Sequence, residues 1–295
     1  MHTRIRHRRM LRMLRTAALA LVVAAGATAC GADRSGTPDI GTSPGQPGAT
    51  ASAGGHALTA DQRRRADQLV SVFENGTPEI QYGYAENLHD GRGITAGRAG
   101  FTTGDGDALK VIRAYTRQVP GNPLARFVPA LERQANEEAD AGGLPEADYI
   151  AAWKQAAQDD RFRHVQDQQV DDRYYKPARD QADRLGLSTA LARAELYDAA
   201  IQHGTGSDAD ALPALIERTT DKVGAPSKAG EKEWLDAFFD VRTDDLTHPK
   251  NPDTAQEWRD SVDRVGAVRR IARGGNYELD GPFTITAFGS RHTIR

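Results

Sequence analysis

The sequence predicts an α+β fold, mainly α, with one small antiparallel sheet near the start of its folded part. Three observations predict it. Helix-period apolar stripes, punctuated by Gly and Pro, fill most of the chain after Asp107. Between Ile80 and Thr102 the period is nearer two and is broken by an Asp-Gly turn. Residues 31–56 hold almost nothing that a core could bury, so folding begins near residue 57.

The first element is not part of the fold. Six arginines (Arg4, Arg6, Arg8, Arg9, Arg12, Arg15) precede an apolar run, Ala17 to Ala29. That run is too short for a bilayer, which needs about 20 residues. It reads as the core of an export signal spanning residues 1–30. Cys30, the sole cysteine, follows small residues at its end. Lipoprotein processing at Cys30 is expected, with ordinary cleavage after Ala29 as the alternative. The protein is then secreted, or held at the outer face of the membrane by its acyl chains. The linker of residues 31–56, rich in Gly, Pro, Ser, Thr and Ala, is a tether. Residues 57–295 are the folded unit.

Thr59-Ala60-Asp61-Gln62 is a capping box, and Ala66, Leu69, Val70 and Phe73 follow on one helical face. Asn75-Gly76 stops that helix, so Glu74 falls in its last turn. The helix's partial negative charge gathers there, a setting that favours the protonated carboxyl. Ile80, Tyr82 and Tyr84 alternate as a strand, and Asp90-Gly91 turns the chain toward strands at Ile94-Thr95 and 99–102. Asp107 starts a helix with the stripe Ala108, Val111, Ile112 and Tyr115. Helices are then predicted over 124–139, 146–158, 161–185, 188–203, 208–222, 228–245 and 254–273. Short extended pieces end the chain. Two stripes carry a charge: Leu187, Leu191, Ala194, Asp198 and Ile201 in one, and Leu235, Phe238 and Arg242 in the other. A buried carboxylate needs a partner, so Asp198 and Arg242 are expected to meet in the core.

Formal net charge is −3, but without the first 30 residues the chain has 32 basic against 41 acidic residues, a net of −9. That disfavours nucleic acid and anionic lipid as partners and suits a cationic ligand. One cysteine at the export site argues against thiolate metal, haem-thiolate and redox chemistry. No G-x-S-x-G elbow is present. Asp105-x-Asp107 is too short for a calcium loop, and neither metal nor cofactor is expected. Trp153 and Trp234 read as core, and Glu137-Glu138-x-Asp140 as a solvated face.

Glu74 and Asp90 occupy opposite settings: a helix end, and a glycine-rich turn beside Arg92. Dividing acid and base between two carboxylates by environment is the logic of glycoside hydrolysis. Each residue alone has a plainer reading. Glu74 could be a surface residue, Asp90 a turn former, Asp107 a helix cap and His203 a complement to a helix's negative end.

The residues Glu74-Asn75, Gln81-Tyr82-x-Tyr84, Glu86, Asp90-Gly91-Arg92-Gly93-x-Thr95, Gly97, Gly100-Phe101 and Asp107 are similar to those of glycoside hydrolase family 46, the secreted bacterial chitosanases. The likeness continues through Pro120-Gly121-Asn122, Trp153, Tyr174, Pro177-Ala178, Tyr197-Asp198-Ala199, His203-Gly204 and Gly275-Asn276. The resemblance implies a lysozyme-like fold of two mainly α lobes around a cleft, with the sheet in the N-terminal lobe. It implies endo-hydrolysis of β-1,4 linkages in glucosamine polymer, with inversion. By the same resemblance Glu74 is the general acid, Asp90 the general base, and Thr95 helps hold the attacking water. Tyr84, Glu86, Arg92, Asp107, Tyr174 and His203 line subsites. Asp198 and Arg242 match two members of an Arg–Asp–Arg cluster, and Arg264 is taken as the third. The expected partner is chitosan, a cationic polysaccharide, met by a monomer. Two other readings stay open: a lysozyme-like peptidoglycan hydrolase, and a non-catalytic carbohydrate-binding lipoprotein. An acidic chain suits an anionic wall poorly, and the second would predict degenerate acid and base positions.

Overall fold

Helix α1, Ala60–Asn75, shows how local chemistry sets the frame of this computed structural model. Thr59 Oγ1 accepts from the Gln62 amide at 3.2 Å, and the Gln62 side chain accepts from the Thr59 amide at 2.9 Å. Gly76 closes the helix in the left-handed conformation. The structure describes residues 57–89, 91–135, 143–249 and 255–295. The export signal with Cys30, the linker, Asp90 and the Glu137-Glu138-x-Asp140 run lie outside the described residues.

Strands β1 (Ala85–Asn87), β2 (Ile94–Ala96) and β3 (Phe101–Thr102) form an antiparallel sheet in sequence order. Register places Glu86 opposite Thr95, and Thr95 opposite Thr102. The strand expected over Ile80–Tyr84 is instead a pair of turns, with Tyr82 N on Ile80 O and Tyr84 N on Gln81 O. The reason lies in tertiary contacts. The Tyr82 carbonyl accepts from Trp153 Nε1 at 2.9 Å and Gln166 Nε2 at 3.2 Å, so it serves no neighbouring strand. Gly93, with φ of +75°, must be glycine: a Cβ there would stand 2.2 Å from Thr103 Oγ1.

Helix α2 spans Asp107–Gln118. The helix expected over 124–139 is a 3₁₀ turn, Ala125–Phe127, running into α3, Val128–Ala135. Helix α4 is Glu146–Ala156. The single helix expected over 161–185 is α5 (Asp160–Val170), a π turn (Asp171–Tyr175) and α6 (Lys176–Leu185). Pro177 accounts for the widening, since it offers no amide and its ring crowds the carbonyl one turn back.

Helix α7, Ala190–His203, is buried on every side, not only along the predicted stripe. Helices α8 (Leu212–Val223), α9 (Pro226–Ala229), α10 (Glu231–Thr247), α11 (Ala255–Asp260) and α12 (Val262–Arg273) follow. Gly230, at φ of +90°, divides the expected 228–245 helix. A hairpin of β4 (Phe283–Ala287) and β5 (Ser290–Ile294) ends the chain and packs on α12 and α1.

Two cores result. One gathers Tyr115, Phe127, Tyr149, Trp153 and Phe162 beneath the sheet. The other stacks Trp234 on Phe238 where α10 meets α8 and α12. Both tryptophans are fully buried, as expected of core residues. Helices α1 and α7 pack on one another.

Candidate active site

Glu74 ends α1 with its side chain only 11% exposed. Its Oε1 accepts from Arg264 Nη1 at 2.6 Å. The helix-end argument did not include this guanidinium, which arrives from α12, 190 residues along the chain. Arg264 turns its other face to Asp198: Nε and Nη2 lie 2.8–3.0 Å from the carboxylate oxygens. Asp198 in turn accepts from Arg242 Nη2 at 2.8 Å. So Asp198, Arg242 and Arg264 meet in one buried cluster that reaches Glu74. Asp198 is held below the usual carboxylate range: burial pushes it up, but Arg264 and Arg242 together outweigh that.

A cavity of about 20 Å³ lies beside Glu74, large enough for about one water molecule. Tyr174, Ile80, Arg98, Ala99 and Tyr197 also line it. Arg98 and Ala99 belong to the β2–β3 turn, so the carboxyl and the sheet share one cavity. Tyr174 comes from the π turn, and burial raises its phenol above the ordinary value. On strand β2, Thr95 is 1% exposed. Its Oγ1 has no hydrogen-bond partner among the described residues. Beside it, Tyr84 OH donates to Glu86 Oε2 at 2.9 Å, and Glu86 is exposed. Arg92 sits in the β1–β2 connection, where its carbonyl accepts from the Gly104 amide at 2.9 Å. Position 90 of that same connection lies outside the described residues.

Two predicted subsite residues, Asp107 and His203, are largely buried. Asp107 is buried, with Oδ1 on the amides of Thr102 (2.6 Å) and Ala108 (2.8 Å) and Oδ2 on Arg173 (3.2 Å). It ties β3 to the start of α2, and a sugar ammonium would reach it only beside the half-exposed Arg173. His203 lies deeper. Its side chain is fully buried, with Nε2 accepting from Arg242 Nε at 3.2 Å and Nδ1 facing Asp210 O at 3.1 Å. Its edge meets Trp258. Burial lowers it to about 4, so it is neutral near pH 7 and braces Arg242.

Sequence reasoning missed a second ion cluster. Arg98 bonds Asp67 (Nη2–Oδ1 2.7 Å) and Asp167, Arg63 bonds Asp67 and Asp171, and Tyr197 OH donates to Asp67 at 2.9 Å. It fixes the β2–β3 turn against α1, α5 and α7. It also missed Glu195, a fully buried carboxyl on α7 bonded to Arg242 Nη1 at 2.6 Å. The available signal was Glu195 itself, one turn before Asp198 in a helix otherwise rich in Ala and Leu.

A helical, lysozyme-like fold that sets a carboxyl at a helix end, over a cavity shared with a small sheet, belongs to the glycoside hydrolases. The family model "Glycosyl hydrolase family 46" matches residues 68–283. The chitosanase of Bacillus subtilis (strain 168) is 54% identical over 230 residues, covering 77% of this chain and 83% of its own. The crystal structure of native chitosanase from Bacillus subtilis MY002 superposes with a TM-score of 0.72 and 51% identity, over 81% of this chain and 100% of that one. A Gynuella sunshinyii family 46 chitosanase, in complex with chitotetraose, gives a TM-score of 0.71 and 46% identity, over 81% and 99% of the two chains. The chain belongs to glycosyl hydrolase family 46.

Proposed function

We propose that this enzyme is an inverting endo-chitosanase that hydrolyses β-1,4 linkages between glucosamine residues, with Glu74 as general acid and Asp90 as general base. The observation that carries it is Glu74 itself: a nearly buried carboxyl, bonded to the Arg264 guanidinium and beside a cavity that the β2–β3 turn also lines. The relatives named above are chitosanases, and one holds chitotetraose. Glu74 gives its proton to the glycosidic oxygen as the C1–O bond breaks. Asp90 takes a proton from water as its oxygen bonds C1 from the opposite face. Such a pair needs about 6.5–9.5 Å between carboxyl groups, room for that water. The orphan hydroxyl of Thr95 supports its part in holding the water. Glu74 ends ionised and Asp90 protonated, and exchange with solvent restores both. Exposed Glu86, oriented by Tyr84, meets the ammonium of glucosamine. Arg92, Asp107 and Tyr174 complete the subsites.

The test is a digest of chitosan in which NMR reads the anomer of fresh product. Inverted product is expected, and retained product would overturn the mechanism. Glu74→Gln and Asp90→Asn should each lose at least about 100-fold in kcat with unchanged circular dichroism. Parallel reducing-end assays on chitin and peptidoglycan separate the other readings. The enzyme acts as a monomer outside the cell, anchored through an acylated Cys30. Intact mass of the membrane fraction should show the lipid increment, and its absence would end the anchoring proposal.

A further inference from the structure

Glu74 and Thr95 come from different elements, so their separation depends on what ties α1 to the sheet. Asp67 stands two helical turns before Glu74 on the same face of α1, about 10 Å back along the axis. Both residues line the small cavity, with Val70 and Ser71 between them. Arg98 and Ala99 of the β2–β3 turn line it too.

Arg98 joins these walls. Its Nη2 donates to Asp67 Oδ1 at 2.7 Å, and its Nη1 donates to Asp167 of α5. Its own amide donates to the buried Gln166 Oε1 at 3.1 Å. Between Thr95 and Arg98, the Gly97 amide donates to the Tyr84 carbonyl at 2.8 Å. Gly97 lies so close to α5 that a Cβ there would stand 2.4 Å from Gln166 Oε1. A guanidinium keeps its charge, and Arg98 is only 8% exposed. The turn therefore cannot lift from α1 without parting a buried charge from its carboxylates, which is costly. The carboxylates depend on Arg98 less. Asp67 also accepts from Arg63 at 3.1 Å and from Tyr197 at 2.9 Å, and Asp167 accepts from Tyr82 at 2.9 Å. The bonds constrain the turn more than they satisfy the acids.

We propose that Arg98 is a positioning residue for the hydrolytic step: bonded to Asp67 and Asp167, it fixes β2, and Thr95 with it, at a set distance from Glu74. It acts from below the surface, through the strand, and touches no substrate.

The inference rests on Glu74 as the acid and Thr95 as a holder of water, and the experiment separates the claims. Values of kcat and KM on a glucosamine oligomer are measured for wild type, Arg98→Gln, Asp67→Asn, the double variant, Asp171→Asn and Glu74→Gln. Arg98→Gln should lose at least about tenfold in kcat, because small misplacements at a reacting centre are costly, with KM within about twofold of wild type. The double variant should be no slower than the slower single one, since both break one tie. Asp171 bonds Arg63 in the same cluster without touching the turn, so Asp171→Asn should turn over like wild type. Unchanged kcat in folded Arg98→Gln overturns the proposal. So does an equal loss in Asp171→Asn, a loss carried by KM, or single losses that multiply in the double variant. An active Glu74→Gln instead overturns the acid assignment beneath it. Should Arg98→Gln not fold, Asp67→Asn, which keeps the shape of the acceptor, decides by the same split of kcat from KM.

Discussion

Single residues in this enzyme owe their chemistry to neighbours far along the chain. Glu74 was legible because a helix end marks it, but Arg264 beside it was visible only through resemblance. Glu195 escaped because a stripe argument assumes one buried face, and α7 has no exposed one. Glu195 and His203 also make opposite demands on stability, and the signs can be worked out. His203 falls from 6.5 to about 4 on folding. Its contribution is fully present above 6.5 and is lost as pH drops toward 4. Glu195 rises from 4.5 to about 7, so its contribution is present below 4.5 and is lost as pH climbs toward 7. Between these bounds the two slopes cancel. In Glu195→Gln the His203 slope is no longer offset, so stability should fall by about 1.4 kcal/mol more per pH unit on acidification than it does in wild type. Urea unfolding at a series of pH values reads this directly, and parallel profiles would mean that burial does not raise Glu195.

Elements were predicted best where local chemistry decides them. The capping box and Gly76 set both ends of α1, and Asp107 begins α2 as expected. Boundaries moved where one residue vetoes a helix: Pro177 widens a turn and Gly230 cuts one helix in two. The strand at Ile80–Tyr84 failed because partners from α4 and α5 claimed its backbone, which alternation cannot reveal. What joins the elements is again ionic. Asp198 of α7 holds Arg242 of α10 and Arg264 of α12, both essentially unexposed. Asp198→Ala would remove the acceptor that both buried guanidiniums share, leaving Arg264 with Glu74 and Arg242 with Glu195 but several buried N–H donors unmet, and a loss of about 3–5 kcal/mol is expected. A urea midpoint equal to wild type would show that the clamp is idle.

At the scale of the molecule, the relevant quantity is the field that a polycation meets on approach. The chain without its first 30 residues carries −9, and the internal clusters are largely self-balanced, so that charge acts from the surface. Chitosan is then drawn in from a distance before any subsite contact forms. Such attraction is screened over about 10 Å at 0.1 M salt, whereas a bond made inside a subsite is screened far less. The two contributions should therefore separate. Raising salt from roughly 10 mM to 0.5 M, where the screening length shrinks to a few ångströms, should lower kcat/KM several-fold through KM, with kcat steady. Glu86→Gln should raise KM at every salt concentration while keeping the same salt dependence. A wild-type KM indifferent to ionic strength would place recognition entirely in short contacts and leave the acidic surface with no part in capturing substrate.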